Sequence, residues 1–229
     1  MLRIITDFDG PIIDVSERYY RVYLICLDRI QNPGQKVIKL NKAEFWQLKR
    51  SRVSEIQIGV ISGLDALQAQ NFSHMRGKLV HTQPYFHYDC LASGALDTLL
   101  KIKQVGIDLV VMTMRRVREL NYAFDQYNLG QFFRKDCCYC LSNDHVKVGD
   151  IKDKTLLMSQ ALKELPPACN TWMIGDTEAD IVAAQTFGIK VIAVESGIRD
   201  NNQLQKEAPD SIVKDFNSAL KLILEQSPL

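Results

Sequence analysis

Two short aspartate-containing motifs each follow a run of apolar residues in this sequence. The segment DFDG contains Asp7 and Asp9, and the segment GDTEAD contains Asp176 and Asp180. A carboxylate can attack phosphorus to form an aspartyl-phosphate, and a carboxyl two residues further on can protonate the leaving alkoxide and then deprotonate a water molecule. Several carboxylates gathered in one place repel one another unless a cation lies among them, and hard oxygen ligands suit Mg²⁺. The motifs therefore indicate phosphoryl-group chemistry that uses a magnesium ion.

Such chemistry also needs hydrogen-bond donors for the charge on the phosphoryl oxygens. Thr113 ends the apolar run VVMT and supplies a hydroxyl group, and Gly10 allows the chain to turn with its N–H toward a phosphate. A lysine is expected from a helix near the fourth strand, and both Lys152 and Lys154 stand at that place. Lys154 is favoured because it leads directly into the helical pattern TLLMSQAL.

Basic residues at two places are candidates for binding an anionic substrate. Met114 and Arg115 follow the threonine, and the Arg115 guanidinium could make a bidentate contact to an anion or could simply start a solvated helix. Arg50 lies in the cluster Lys49-Arg50-Ser51-Arg52, which fits either an anionic substrate or a solvated face. Both alternatives stay open on the sequence alone, and Met114, Arg115 and Arg50 are kept as candidate substrate contacts together with Gly10.

Short, almost continuously apolar strands alternate with helical patterns over most of the chain, which is typical of a parallel sheet covered by helices on both faces. Ligands of such sheets bind beyond the carboxyl ends of the strands, where both aspartate motifs fall. We therefore expect an α/β fold with a Rossmann-like three-layer core. The strands are predicted at residues 2–6, 107–113, 137–142, 171–175, 190–195 and 211–213, and the helices at 94–105, 116–127, 154–164, 180–187 and 217–226.

The stretch between about residues 14 and 88 interrupts this alternation with helical patterns alone. Asp14-x-x-Glu17 and Asn41-x-x-Glu44 have the spacing of capping boxes, and further helical patterns run over 54–61 and 64–80. An all-helical insertion of this length predicts a small second domain. The predicted division is an α/β catalytic core of residues 1–13 and 89–229 and a helical cap domain of residues 14–88.

The bulk composition excludes several classes of protein. The 229 residues are 46% hydrophobic and 24% charged, as in a typical globular chain, and 28 basic against 27 acidic residues leave a net charge of +1. No nucleic-acid partner is expected, because no global basic field is available for a phosphate backbone. The patterns of a signal peptide and of a membrane-spanning stretch are both missing, so we expect no membrane partner and a reducing, cytoplasmic setting.

The cysteines provide a separate test of this setting. Three of the six, Cys137, Cys138 and Cys140, form a cluster with the pattern of a strand, in which alternation sends Cys138 and Cys140 to one face and Cys137 to the other. Zinc sites usually combine two separated ligand pairs, and no second Cys/His pair stands at such a spacing. Packed free thiols are therefore the favoured interpretation.

Taken in order, DFDG, VVMT, a lysine before a helix and GDTEAD resemble the four motifs of the haloacid dehalogenase-like hydrolases. The helical insertion after the first motif is similar to the cap of the subgroup that contains phosphoglycolate phosphatases and β-phosphoglucomutases. The resemblance covers essentially the whole chain and implies a Mg²⁺-dependent phosphatase that acts on a small phosphorylated metabolite. Pro11 departs from the family pattern, which more often has Thr or Val there.

This resemblance assigns a role to each motif residue. Asp7 would be the nucleophile and a Mg²⁺ ligand, and Asp9 would be the general acid/base, with its backbone carbonyl also reaching the metal. Asp176 would ligate Mg²⁺, and Asp180 would ligate the ion or orient its waters. An acid at position 9 points to phosphate esters, because the dehalogenases and phosphonatases of the family lack one there.

Two further residues complete the implied machinery. Thr113 would bind the phosphoryl group, and Lys154 would stabilise its charge. Two rival functions share this machinery and stay open: a phosphomutase, which returns the phosphoryl group to a bound sugar, and a non-catalytic protein that binds a phosphorylated metabolite. The substrate itself and the oligomeric state are not predicted.

Overall fold

The computed structural model, which describes residues 1–227, contains a six-stranded sheet whose paired strands are all parallel. Its strand order is β5-β4-β1-β6-β7-β8, which confirms the predicted α/β core. Two further strands of two residues each, β2 and β3, lie outside this sheet. The strands are β1 (Leu2–Thr6), β2 (Ile13–Asp14), β3 (Cys90–Leu91), β4 (Asp108–Arg116), β5 (Cys138–Leu141), β6 (Asn170–Gly175), β7 (Lys190–Val194) and β8 (Ser211–Val213).

Helices follow nearly every strand of the sheet and also fill the insertion. The α-helices are α1 (Ser16–Ile30), α2 (Lys42–Arg50), α3 (Glu55–Ile61), α4 (Ala66–Leu79), α5 (Ala95–Val105), α6 (Val117–Tyr127), α7 (Asp150–Glu164), α8 (Glu178–Thr186), α9 (Asn201–Gln205) and α10 (Phe216–Gln226). Short 3₁₀ helices cover Gln83–Tyr88, Leu129–Gln131 and Lys135–Cys137. The sequence patterns did not predict α9, the two-residue strands or the 3₁₀ helices.

The chain divides into two units that are each described by themselves. The first unit consists of Met1–Asp14, Leu91–Gly197 and the described residues from Leu204 onward. The second unit consists of Val15–Cys90 and Ile198–Gln203. The predicted core and cap did not include the last of these segments in the helical part, because it follows the core strand β7 directly in the sequence.

The centre of the sheet is apolar on both faces, which is why its strands are nearly continuous hydrophobic runs. All five residues of β1 are buried, and β1 lies between β4 and β6 with Thr6 beside Val111 and Ile174. Side chains from β4 to β7 pack with α7 and α8 in one buried cluster. Because β1, β4 and β6 are parallel, their carboxyl ends, and the residues that follow them, share one edge of the sheet.

Several element boundaries differ from the predicted ones, and three of these differences lie close to the candidate site residues. β4 extends to Arg116 because its last residues pair with β5, Arg116 beside Leu141, after a register irregularity. α7 begins at Asp150, four residues early, and the Asp153 carboxylate accepts the N–H groups of Val148 and Gly149 that precede it. α8 begins at Glu178, because the Asp180 carboxylate accepts the N–H and the hydroxyl of Thr177, the residue before the helix.

Helix caps in the second unit follow the predicted chemistry with one exception. Asn41 and Glu44 form the expected capping box at α2, and Ser54 and Asp65 cap α3 and α4. The predicted capping box at Asp14 is wrong: α1 begins after Val15, and no side-chain hydrogen bond caps it. A buried aromatic cluster, in which the Tyr23 and Phe45 rings stack at 4.7 Å, holds these helices together.

The described residues also bear on the cysteine and membrane predictions. All six cysteines are free thiols, and Cys137 is buried while Cys138 and Cys140 are partly exposed on the alternate positions of β5. This is the predicted alternation of a strand. Within residues 1–227, no helix combines the length and the apolar character that crossing a bilayer requires.

Candidate active site

Asp7, Thr113 and Asp176 stand at the carboxyl ends of the three central strands. Asp7 directly follows β1, Thr113 lies near the end of β4, and Asp176 directly follows β6. The ends of β1 and β6 are joined by a backbone hydrogen bond, in which the Asp7 N–H donates to the Ile174 carbonyl at 2.8 Å. All three side chains are at least nine-tenths buried. The parallel sheet therefore brings the predicted motifs to one place, as the strand pattern led us to expect.

Lys154 joins two of the carboxylates. Its ammonium group lies 2.8 Å from an oxygen of Asp7 and 2.8 Å from an oxygen of Asp180, and it is almost completely buried. Burial lowers the pKa of this ammonium, but Asp180 and Asp7 raise it further, so the group is held positively charged. Lys152 is exposed, so the structure places Lys154, not Lys152, at the carboxylates.

The charge in this site favours a bound cation. One oxygen from each of Asp7, Asp176 and Asp180 lies within 4.8 Å of the others, and Lys154 is the cation that contacts two of them. Burial and the neighbouring Asp180 raise the pKa of Asp7 from 3.8 to about 7, although Lys154 lowers it. A divalent cation would relieve this repulsion, and the donors are all oxygens, which fits Mg²⁺.

Two glycines allow the backbone to approach Asp176 closely. A Cβ added to Gly10, which has a positive φ of 93°, would lie 2.5 Å from the Asp176 Cγ atom. A Cβ added to Gly197 would lie 1.8 Å from the Asp176 Oδ2 atom. Both distances are far too short for real side chains, so only glycine fits at these two positions.

The structure changes the role expected for Gly10. Its N–H donates to the Ile13 carbonyl at 2.8 Å and therefore closes a turn instead of standing ready for a phosphate. The prediction that this N–H faces the phosphate is wrong for that reason. Gly10 instead makes room for Asp176 and accepts a hydrogen bond on its carbonyl from the Ser196 hydroxyl at 2.9 Å.

Arg115 binds the second aspartate of the first motif. Its Nε and Nη2 atoms lie 2.8 and 2.7 Å from the Asp9 Oδ1 atom, and the guanidinium lies over the Phe8 ring at 5.2 Å. Arg115 is 4% exposed, whereas the Asp9 side chain is 29% exposed. The solvated-helix alternative for Arg115 is therefore wrong, because this side chain is buried in an ion pair at the end of β4.

Thr113 and Met114 occupy opposite faces of β4. The Thr113 hydroxyl oxygen accepts the Arg115 N–H at 3.1 Å and is free to rotate its own proton toward another acceptor. The Met114 side chain packs against the buried cluster of the sheet. The structure therefore places Arg115 beside Asp9 and Thr113 beside Arg115, whereas Met114 is partly buried and packs against the apolar core.

Sequence reasoning missed Ser196 and Gly197, which follow β7. The Ser196 hydroxyl donates to the Gly10 carbonyl, and Gly197 lies against the Asp176 side chain. The available signal was a small-residue pair directly after an apolar strand, at the same edge where the aspartates were expected. Such pairs are common at strand ends for reasons of turn formation, so the signal is weak without the strand order.

Arg50 belongs to the second unit and lies at the end of α2. Its guanidinium donates to the Arg199 carbonyl at 3.2 Å, and its own carbonyl accepts the Asp200 N–H at 3.2 Å. The Asp200 carboxylate in turn accepts the Ser51 hydroxyl at 2.7 Å. Arg50 is therefore held by the segment after β7 that groups with the helices, a contact that no local pattern indicated.

Lys49 of this basic cluster is also partnered within the second unit. Lys49 and Arg76 both bind one oxygen of Glu55, and the Arg76 guanidinium lies over the Tyr19 ring at 5.0 Å. Burial, with Arg76 nearby, lowers the pKa of Lys49. The cluster is thus partly an internal ion-pair network and not merely a solvated face.

The fold and this arrangement of aspartates, threonine and lysine are similar to those of the haloacid dehalogenase-like hydrolases. A model of the HAD-hydrolase-like family matches residues 152–219. A phosphoglycolate phosphatase from Pseudomonas fluorescens is 22% identical over 132 residues, which cover 58% of this chain and 47% of that protein. The chain thus matches about half the length of this relative. These matches confirm the resemblance that the motifs indicated, in the subgroup of the phosphoglycolate phosphatases.

Solved structures of similar fold cover the chain more completely. A haloacid dehalogenase-like family protein from Streptococcus pneumoniae aligns with a TM-score of 0.67 at 19% identity, over 96% of this chain and 97% of that one. A HAD hydrolase of family IA, variant 3, from Entamoeba histolytica aligns with a TM-score of 0.63 at 21% identity, over 95% of both chains. At such identities the likeness establishes the shared fold.

Proposed function

We propose that this chain is a Mg²⁺-dependent phosphatase that hydrolyses a small phosphorylated metabolite through an aspartyl-phosphate on Asp7. The observation that carries the proposal is the buried cluster of Asp7, Asp176 and Asp180 around the Lys154 ammonium. A phosphoglycolate phosphatase among the relatives supports a phosphate monoester as the substrate class. The six free thiols support a reducing, cytoplasmic setting.

The first half of the reaction transfers the phosphoryl group to the protein. A carboxylate oxygen of Asp7 attacks phosphorus, the bond from phosphorus to the leaving oxygen breaks, and Asp9 gives that oxygen a proton. Arg115 holds the Asp9 carboxylate at 2.7 Å and so orients it for this transfer. The Thr113 hydroxyl donates a hydrogen bond to a phosphoryl oxygen, and Lys154 balances the charge that develops there.

The second half releases phosphate and restores the carboxylate. Asp9 takes a proton from a water molecule, the water oxygen attacks phosphorus, and the bond from phosphorus to the Asp7 oxygen breaks. Asp9 then carries the proton needed for the next leaving group, so the cycle closes without a co-reactant.

Magnesium fits the same residues. Asp7, Asp176 and Asp180 would hold the ion through their carboxylates, and Asp9 would hold it through its backbone carbonyl. When bound, Mg²⁺ neutralises charge on the phosphoryl oxygens and brings nucleophile and substrate together. Gly10 and Gly197 contribute by leaving space for the Asp176 side chain, because a Cβ at either position would overlap it.

Fewer residues remain candidates for contacting the substrate outside its phosphoryl group than the sequence suggested. Arg115 remains a candidate contact for substrate oxygens through its buried guanidinium, and Arg50 remains a candidate in the second unit. Met114 is a weaker candidate, because its partly buried side chain packs against the core. Gly10 serves the site through its backbone conformation.

Turnover of p-nitrophenyl phosphate with Mg²⁺ tests the proposal. We expect release of phosphate by the wild-type protein, loss of that release when Mg²⁺ is chelated, and a loss of at least about a thousandfold in Asp7→Asn. Asp125→Asn, a change at an exposed aspartate of α6, serves as the matched control and should keep full activity. Full activity in Asp7→Asn would refute the assignment of the nucleophile.

A further inference from the structure

A cavity of about 400 Å³ lies within the first unit, beside β5 and α7. Leu141 and Leu156 form part of its apolar wall, and the loop that joins β5 to α7 closes another side. Two titratable side chains face the cavity, His145 from the loop and Asp153 from the first turn of the helix. Neither has a role in the proposed phosphatase reaction.

Asp153 presents a bare carboxylate oxygen to this cavity. Its side chain is completely buried, and its Oδ2 atom accepts the N–H groups of Val148 and Gly149 at 3.1 and 3.3 Å. Its Oδ1 atom has no hydrogen-bond partner among the described residues. Burial raises the pKa of Asp153, but the backbone N–H groups of Gly149 and Val148 and the neighbouring His145 side chain together lower it below its ordinary value. The group is therefore a negative charge with one unsatisfied oxygen.

His145 presents a bare nitrogen next to that oxygen. The Nε2 atom lies 3.1 Å from the Asp153 Oδ1 atom and is buried, yet the two atoms are not aligned as a hydrogen bond. The backbone around the ring is held in place, because the His145 carbonyl accepts a hydrogen bond from the Arg116 guanidinium at 2.9 Å.

Two donors so arranged have the geometry of ligands to one metal ion. Zinc binds imidazole nitrogen and carboxylate oxygen at about 2.0–2.2 Å, which at bond angles of roughly 90–110° leaves the two donor atoms about 3.0–3.5 Å apart. The measured 3.1 Å lies in that interval. The hydrogen bonds to the other carboxylate oxygen are of the kind that orient ligating carboxylates.

We propose that His145 and Asp153 bind a divalent cation of the Zn²⁺ class, with water from the cavity completing its coordination. A nitrogen and an oxygen donor together favour such a borderline ion over Mg²⁺, which prefers oxygen alone. Cys140 also lines the cavity, but among the described residues it forms no three-ligand cluster with the pair. The ion would tie the β5–α7 loop to the helical turn that carries Lys154.

Zinc titration of ¹⁵N-labelled protein, followed through the imidazole nitrogens, tests this site. Millimolar Mg²⁺ is kept present to occupy the aspartate cluster. The chain has four histidines, and His145→Ala assigns the resonance of interest by removing it. We expect one equivalent of Zn²⁺ to shift the Nε2 resonance of His145, and to raise the thermal unfolding midpoint of the wild-type protein but not of His145→Ala.

Two variants complete the test. Asp153→Asn keeps an oxygen that can accept a backbone N–H, and it should weaken Zn²⁺ binding at His145 at least about tenfold. His74→Ala, at an exposed position of α4, should leave that binding unchanged. An His145 resonance that stays fixed under a stoichiometric amount of Zn²⁺, or equal affinities in Asp153→Asn and the wild-type protein, would overturn the proposal. Should Asp153→Asn fail to fold, His145→Gln with the calorimetric Zn²⁺ affinity decides in its place. None of these measurements depends on phosphatase activity.

Discussion

Replacing Asp7 with Asn should change how the stability of the metal-free protein depends on pH. Burial and Asp180 raise the pKa of Asp7 from 3.8 to about 7 in the folded protein. A carboxyl with a raised pKa contributes stability that is complete below its ordinary pKa and is lost as the pH rises toward the folded value. The wild-type protein should therefore lose free energy of unfolding between about pH 4 and pH 7 on account of this one group.

The size of the effect follows from the interval between the two pKa values. Each pH unit in that interval corresponds to about 1.4 kcal/mol, so the whole interval corresponds to roughly 4 kcal/mol. No discount for solvent screening is needed, because Asp7 is only 7% exposed. Asp7→Asn carries no ionisable group at this position and should lack this part of the pH dependence.

Urea unfolding in the presence of a chelator, followed by tryptophan fluorescence at several pH values from 5 to 8, measures the difference. The free energy of unfolding of Asp7→Asn minus that of the wild-type protein should grow by about 1.4 kcal/mol per pH unit up to about pH 7 and then level off. Added Mg²⁺ should restore stability to the wild-type protein at pH 8. A difference that is flat with pH, or that shrinks as the pH rises, would refute the reasoning.

Three other substitutions test neighbouring parts of the site. Arg115→Lys should lower kcat by more than about tenfold with a smaller effect on KM, because a lysine cannot make the two-nitrogen contact to Asp9; equal effects on both constants would contradict an orienting role. Lys154→Met should lower the turnover of p-nitrophenyl phosphate at least about a hundredfold and destabilise the metal-free protein, as measured by urea unfolding. Gly197→Ala should weaken Mg²⁺ binding in calorimetry, whereas Gly77→Ala, in open space within α4, should stabilise the protein by up to about 1 kcal/mol.

Much of the fold could be predicted from local patterns. The apolar runs of β1, β6 and β7 end where the sequence changes to Asp, Gly and small polar residues, and that change is visible without any tertiary contact. The capping box at Asn41 was equally local, since its two partners are three residues apart. The box at Asp14 failed because the chain there forms the short strand β2, and α1 begins only after Val15.

The choice between Lys152 and Lys154 shows where local patterns stop. Both residues stand in the first turns of α7, and at about 100° per residue their side chains point roughly 200° apart. Only the packing of α7 on the sheet decides which one meets Asp7, a residue 147 positions away in the chain. α7 begins at Asp150, and hydrogen bonds to the Asp153 carboxylate accompany this start. The apolar pattern of the sequence does not reveal these hydrogen bonds.

The sequence by itself determined which residue types stand at the strand ends and in which order, because a strand and the turn after it are built from neighbouring residues. That order predicts a parallel sheet, whose strands have their carboxyl ends at one edge, and a carboxylate site at that edge. The tertiary structure decided which side chains meet: Arg115 with Asp9, Gly197 with Asp176, and His145 with Asp153. The physical reason is that such contacts depend on strand order, register and helix rotation, which are properties of the packed chain.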